Sequence, residues 1–513
     1  MTFETKKIRK INWKKKQQQS FNLLKDFFNF FIKKSRSIIL ETPKKKHNFG
    51  FLLIIIMIII FGYASYKVVT LAQSFSPKDI ILSIFSQKIK TDEKNHTNFL
   101  LVGTGGGDHD GADLTDSIKV VSIDHDNKYI TMISVPRDLW VKTEEFGGTR
   151  INQLFEFKKG QTDSEQIGMD FLSQKISEIT GLDIHYNIKI DFESFKQAVD
   201  SLGCVHIDVP SAIYDPFYPK DGTYSYDPFK IEAGPQCIDG DTALKYARSR
   251  YTTAGGDFNR SERQALLIRA IKDSALSAGV LLNPKKLSNL YATFKDNIYM
   301  DLSWDELIYL AKISSKFASD KILSQTINDV PYDVGGFLYA PPRDDFKGAS
   351  VLCPSYSMRK ANCTDPESYT EIRQFIDFFS FNTEIFEKQM PLRLLNGTKI
   401  NGIALDALYM LSRHGFEVTR YGNAINTDTD FTTVYVKPKF DKNGKQIEIK
   451  NLRADPFLQI LENYLGYFQV ADFVGSEYDS EDFRDSETKY IIVLGKDFSG
   501  FKNGRAEWFY YWN

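Results

Sequence analysis

The chain has 513 residues, 42% of them hydrophobic and 26% charged, and a formal net charge of −1. Its length exceeds what one hydrophobic core organises, so more than one domain is expected, and its composition excludes a collagen-like or wholly disordered chain. The near-zero charge would argue against anionic partners only if it were evenly spread, yet residues 1–46 carry 14 Lys and Arg against 3 acidic residues, which puts +11 there and −12 on the rest.

The first element in chain order is this basic arm, residues 1–48. Its segment Phe21–Arg36 spaces apolar residues helically and ends in basic ones, which suits an anionic inner leaflet as well as a solvated tail. From Phe49 to Tyr66 the sequence reads FGFLLIIIMIIIFGYASY without a charge. That is about 27 Å of helix against a hydrocarbon core of ~30 Å, so residues 49–72 are expected to form a single transmembrane helix. A signal-peptide core would be shorter and closer to the start of the chain, and unbroken Ile and Leu on every side are unusual in a buried soluble helix. Lys44, Lys45 and Lys46 abut the span. The positive-inside rule then keeps the arm cytoplasmic and exports the rest, making this a single-pass cell-membrane protein. Nucleic-acid binding by the arm is disfavoured for the same reason. Residues 73–95 read as a linker.

Beyond the linker, strands and helices alternate. TNFLLV (97–102) is an expected strand that runs into the Gly-rich loop GTGGGDHDGAD, and Ser117–Ile123 and Lys128–Val135 form an expected hairpin about DHDN. A helix follows from about Asp163 to Thr180, stopped by Gly181. After the strand HYNIKI, a helix capped by Asp191 places Phe195, Ala198, Val199 and Leu202 on one face. The strand VHIDV, a Tyr/Pro/Asp-rich loop at 210–234, and helices from about Asp239 to Arg250 and from about Arg260 complete the unit. From Leu392 a second alternating series begins, with expected helices LDALYMLSRHG and DPFLQILENYLG and expected strands EVTRYG, TTVYVKP and KYIIVLG. The fold class is therefore α/β: a layered α/β/α domain over 96–345, a cysteine loop and connecting helix over 346–390, and a smaller α/β domain over 391–513.

Four cysteines are present, none with CxxC spacing. An exported location permits disulfides, and Cys204–Cys237 and Cys353–Cys363 are the favoured pairs; four unpaired core residues are the alternative.

Charged residues concentrate in YARSRYTTAGGDFNRSERQ (246–264), which holds Arg248, Arg250, Arg260 and Arg263 in an otherwise acidic region. Guanidinium groups stay charged and grip phosphate in two-point fashion, so the cluster suits a pyrophosphate; a solvated face paired with Asp257 and Glu262 is the bland reading. Arg260 and Gln264 share a helix face. In SVPRD (134–138), Pro136 ends a strand and projects Arg137 from the sheet end where ligands gather. In LTDS (114–117), Asp116 stands beside the Gly-rich loop, and a carboxylate near phosphate is a natural ligand for Mg²⁺ or Mn²⁺.

In this order, behind one N-terminal span, LTDS, SVPRD, DFESFKQAVDSLGCV, IDGDTALKYARSR and GGDFNRSERQ resemble the LytR-CpsA-Psr family of cell-wall glycopolymer ligases. The resemblance implies a central mixed sheet flanked by helices with a tunnel for a polyprenyl lipid. It also implies transfer of a polyprenyl-pyrophosphate-linked glycan to peptidoglycan with release of lipid phosphate. Arg137, Arg248, Arg250, Arg260 and Gln264 match the family's pyrophosphate binders, joined here by Arg263 from the cluster. Asp116 matches its metal-associated acid, and Asp257 the acid that orients Arg or activates the acceptor. Gly105 and Leu114 depart from the pattern, where the family usually has Asp and Arg; Asp108, Asp110 and Asp113 are the nearby carboxylates that could substitute. The region after Leu392 resembles the C-terminal domain of some members. A polyprenyl-pyrophosphate phosphatase, with water as acceptor, and a non-catalytic wall scaffold or envelope regulator are the rival readings.

Overall fold

The computed structural model describes residues 89–498 apart from 108–110, 221–224, 250–255, 330–335 and parts of 282–297, 357–365, 441–450 and 481–486. The basic arm, the expected span at 49–72, Asp108, Asp110 and Arg250 lie outside the described residues, as does the side chain of Asp257. Among the described residues no helix is long and apolar enough to cross a membrane. The elements below all belong to one compact unit, Gln87–Asn513.

Three strands make the centre of the main sheet: β1 (His96–Thr104), β2 (Ser117–Asp124) and β3 (Ile130–Val135), paired antiparallel. The β2–β3 turn closes where the Asp124 carboxylate accepts from the backbone N–H groups of Asp126 and Asn127 at 2.8 and 2.9 Å, as Asp does in turns. A small hairpin, β4 (Trp140–Thr143) and β5 (Gly147–Arg150), leads into α1 (Leu154–Thr162) and α2 (Glu165–Thr180). The sequence offers Asp163 as the start of a single helix. The backbone instead turns left-handed there (φ 51°) to stop α1, and Ser164 caps α2 by accepting from the Ile167 N–H.

β6 (Tyr186–Asp191) runs parallel to β1 and hands directly to α3 (Phe192–Ser201), whose N-terminus is capped by Asp191 accepting from the Ser194 N–H at 2.7 Å. The Tyr/Pro/Asp-rich stretch is more ordered than its composition suggests. β7 (Val205–Val209) pairs with β10 (Gly234–Ile238), and between them β8 (Ile213–Asp215) pairs with β9 (Phe229–Ile231). The Cys204–Cys237 disulfide ties the base of this excursion, with the two Cα atoms 5.6 Å apart. Next come α4 (Gly240–Arg248), capped by Asp239, and α5 (Gly256–Ser277). Only glycine fits at 240, because a Cβ there would sit 2.4 Å from the Lys196 carbonyl of α3. β11 (Ile298–Met300), α6 (Trp304–Ile313) and β12 (Ile322–Thr326) finish a six-stranded mixed sheet of order β11-β6-β1-β2-β3-β12.

One face of this sheet is dry. Leu100, Val102, Ile118, Val120, Ile133 and Val135 pack in one core with Met169, Leu172, Ile176 and Ile179 of α2. That core continues beyond the domain. The ribbon β13 (Leu338–Tyr339), β14 (Cys353–Tyr356) and β15 (Arg359–Lys360), stapled by Cys353–Cys363, precedes α7 (Thr370–Phe381) and α8 (Thr383–Lys388). Ile372, Phe375, Ile376 and Phe379 of α7 belong to the same core as α2, and Phe378 stacks on Phe416 of the following domain at 4.8 Å. Both disulfides are those favoured from the sequence.

The C-terminal domain places β16 (Leu392–Asn396), α9 (Ile403–Arg413), β17 (Val418–Asn423), β18 (Thr433–Val436), a short ribbon of β19 (Lys439–Phe440) and β20 (Gln446–Ile447), α10 (Pro456–Leu465), β21 (Gln469–Asp472) and β22 (Tyr490–Leu494) in chain order. Its five-stranded mixed sheet has the order β17-β16-β22-β18-β21. The seam with α7 contains a buried ion pair, Arg413 to Glu371 at 2.9 Å, and the Arg413 guanidinium also donates to the Ser355 carbonyl at 2.7 Å.

Candidate active site

The other face of the main sheet borders a cavity of about 470 Å³. Its floor is the alternate set of strand residues, Leu101 and Gly103 on β1 and Ser117 and Lys119 on β2. Phe192 and Phe195 of α3, Tyr218 of the excursion, and Leu267 and Ile268 of α5 supply apolar walls. Four charged or polar residues singled out from the sequence for the pyrophosphate line the same space: Arg137, Arg248, Arg260 and Gln264. So does Asp116.

Each is positioned by the local fold. Arg137 follows the strand break at Pro136, and its Nη1 donates to Asp116 Oδ1 at 2.7 Å, while its Nε lies 3.6 Å from Asp138. Arg248 ends α4. Its guanidinium covers the Phe192 ring, 4.0 Å from the centroid, and donates to the Tyr218 hydroxyl at 3.2 Å. The aromatic wall thus holds a cation flat at the cavity edge. Gln264 accepts from the Ser117 hydroxyl at 3.3 Å and donates to the Ala247 carbonyl at 3.2 Å, which fixes α5 against both β2 and α4. The Gly-rich loop closes on the site from β1. Gly106 has φ +69°, and a Cβ there would fall 2.6 Å from Asp191, so the loop lies against the cap of α3.

Two residues of the sequence assignment take other places. Arg263 is buried and absent from the cavity lining. Its Nε donates to the Tyr246 carbonyl at 3.0 Å and its Nη2 bonds the Ser249 carbonyl, so it clamps the end of α4 to α5. It sits one step round the helix from Gln264, and that step is the difference between wall and interior. Asp113 is held by both its oxygens at 2.8 Å from Lys159 Nζ and also lies off the cavity lining. Leu114, where the resembling family has Arg, folds back over Gly111 instead of facing the site. Asp257 is the second residue of α5.

Sequence reasoning passed over Asp191, Asp215 and Lys119, all of which line the cavity. Asp191 and Asp215 have partners within the fold: the Ser194 N–H for the first, the Ser249 hydroxyl and the Phe217 N–H for the second. For a divalent cation the fitting donor is Asp116. Its Oδ1 takes the Arg137 bond and no described residue bonds its Oδ2, and Mg²⁺ usually needs one or two carboxylates with the substrate's phosphates.

The chain resembles known proteins in two regions. The LytR_cpsA_psr family model matches residues 64–347, more than half of the chain, and the one described as LytR cell envelope-related transcriptional attenuator matches residues 389–498. The cell wall biosynthesis protein LcpA of Corynebacterium glutamicum is 22% identical over 333 residues, 61% of this chain and 60% of the relative. The polyisoprenyl-teichoic acid–peptidoglycan teichoic acid transferase TagU of Oceanobacillus iheyensis is 29% identical over 215 residues, 42% of this chain and 62% of the relative. The chain thus spans less than two thirds of the length of these curated relatives. The crystal structure of Bacillus subtilis TagV aligns with a TM-score of 0.41 and 23% identity, over 56% of this chain and 97% of that one. With its family model matched across the mixed sheet and the cavity, this chain belongs to the LytR_cpsA_psr family.

Proposed function

We propose that the protein transfers a polyprenyl-pyrophosphate-linked glycopolymer onto peptidoglycan outside the cell membrane, releasing lipid phosphate. The observation that carries this reading is the convergence of Arg137, Arg248 and Arg260 on one cavity that also has apolar walls of Phe192, Phe195, Leu267 and Ile268. Permanent cations beside an apolar space suit a ligand with an anionic head and a hydrocarbon tail. The names of relatives such as TagU support the same class of donor and acceptor.

In this mechanism the guanidinium groups hold the pyrophosphate and neutralise the charge that grows on the lipid phosphate as it leaves. An acceptor hydroxyl attacks the glycan-side phosphorus and the bond from that phosphorus to the bridging oxygen breaks, so lipid phosphate leaves while a carboxylate takes the hydroxyl proton; Asp257 at the start of α5 is assigned to the acceptor side. A Mg²⁺ or Mn²⁺ ion at Asp116 would add positive charge against the pyrophosphate. Arg137 holds the Asp116 carboxylate in place for that role. The reading includes the single span at 49–72 and the basic arm at the anionic inner leaflet, which set the cavity on the same side as the wall.

The test is incubation of the full chain with lipid-linked glycan and peptidoglycan fragments. Formation of a glycan–peptidoglycan adduct together with lipid phosphate is the expected result. Lipid phosphate without the adduct would convert the assignment to a phosphatase, and neither product would leave a scaffold.

A further inference from the structure

Lys119 stands out among the cavity residues because its surroundings do not account for it. It lies on β2, directly opposite Ser134 of β3 and Leu101 of β1 in the strand registers. Only 3% of it is exposed to solvent, and its ammonium donates to the Ser134 hydroxyl at 2.5 Å. Among the described residues no carboxylate lies within ion-pair distance of it. Arg413, which is as deeply buried, has Glu371 beside it. Desolvation of an isolated ammonium is costly, so such groups are normally paired, neutral, or waiting for a ligand.

The charged groups around the cavity come from every element that packs there: Asp116 just before β2, Arg137 after β3, Asp191 at the cap of α3, Asp215 of the excursion, Arg248 of α4 and Arg260 of α5. Of these, Arg260 acts on Lys119 unfavourably. Burial first, and then the Arg260 charge, push the ammonium down to about 7. The cavity therefore brings two cationic side chains close enough to repel, next to a space that an anion can enter.

We propose that Lys119 is a ligand-contacting residue that pairs with a phosphate oxygen of the bound polyprenyl pyrophosphate and takes up a proton from solvent as it does so. The anion supplies a counter-charge to Lys119 and offsets the repulsion from Arg260, so binding and protonation reinforce one another. This deepens the pyrophosphate reading and rests on it. It makes affinity pH-dependent above neutrality, in a range where the lipid pyrophosphate itself no longer titrates.

Titration calorimetry of the full chain in detergent micelles with geranylgeranyl pyrophosphate, at pH 8 in buffers of different ionisation enthalpy, reads this directly. Wild type is expected to take up close to one proton per ligand bound. Lys119→Met, which keeps the length and apolar stem, is expected to take up none and to bind about tenfold more weakly at pH 7. Equal affinity and equal proton uptake in wild type and variant would overturn the assignment. If the variant does not fold, absence of proton uptake by wild type overturns it alone. Arg248→Ala separates the two levels. Binding lost in that variant but unchanged in Lys119→Met removes only Lys119, whereas binding unchanged in both removes the pyrophosphate reading as well.

Discussion

Alternate residues of β1 and β2 look into two different environments. Leu100, Val102, Ile118 and Val120 face α2 and α7 across an apolar core that runs on into the C-terminal domain, while Leu101, Gly103, Ser117 and Lys119 face a cavity edged by guanidinium groups. Cations are buried in both regions. In the dry region Arg413 has a carboxylate at 2.9 Å and a carbonyl at 2.7 Å; at the cavity Lys119 has a hydroxyl. Of these two charges, the one in the dry core has its counter-charge beside it, and the one at the cavity has a neutral partner.

The contrast can be broken most directly at Glu371. Glu371→Ala strands Arg413 in the core between α7 and α9 and is expected to lower stability by about 3–5 kcal/mol, the usual cost of removing one partner from a buried pair. Chemical denaturation with far-UV detection measures it. Affinity for geranylgeranyl pyrophosphate per folded molecule should stay at the wild-type value, because Glu371 lies on the other side of the sheet. A destabilisation below about 1 kcal/mol would mean that Arg413 reaches water or another acceptor and that the dry region is not closed.

At the cavity the expected pattern is reversed. Arg248→Ala removes a cation held between Phe192 and Tyr218 and should lower transfer activity by about a hundredfold or more, with little change in unfolding free energy. Arg263→Ala is the informative control within the same sequence cluster. It removes the bonds to the Tyr246 and Ser249 carbonyls, so it should reduce stability and activity together. Equal activity losses in the two variants with unchanged stability would place both in the site and contradict the geometry.

These variants mark what the sequence could and could not convey. The strands, the Asp191 cap, the Gly181 stop and the shared face of Arg260 and Gln264 follow from local rules of periodicity and capping, and all of them appear in the fold. Arg263 and Lys119 do not follow from such rules. One residue of helix rotation separates Arg263 from the cavity, and helix ends are uncertain by at least that much in a sequence. Lys119 sits in SIKVVSID, where alternation puts it opposite Ile118 and Val120, on a face shared with Ser117, Val121 and Ile123. Whether that face meets water, a helix or a cavity depends on α5, some 140 residues later. The same limit hid the role of α7. Its apolar stripe is legible, but its two partners, α2 on one side and Phe416 on the other, are fixed only by the tertiary arrangement.

The smallest expected effect concerns a buried base in the dry region, and its pH window and indifference to ligand distinguish it from Lys119. His414 donates from Nδ1 to the Met410 carbonyl at 2.8 Å and packs beside Tyr464 and Phe337. Burial pushes it down from 6.5 to about 3, so the folded protein keeps it neutral while the unfolded chain protonates it near pH 6.5. With more protons bound to the unfolded state between those values, stability falls as pH falls, by about 1.4 kcal/mol per unit below pH 6 from this group alone. Other acids and bases titrate in the same window, so the measurement is a difference. His414→Gln retains a donor for the Met410 carbonyl and should flatten the unfolding free energy between pH 4 and 6 relative to wild type by that slope. For Lys119 the corresponding window lies between about 7 and the ordinary 10.5, and there the ligand can return what burial costs. No ligand reaches His414 in a closed core, so polyprenyl pyrophosphate should leave its pH profile unchanged while shifting that of Lys119. A ligand-dependent change in the acid-side slope would show that the two faces of the sheet are coupled rather than separate.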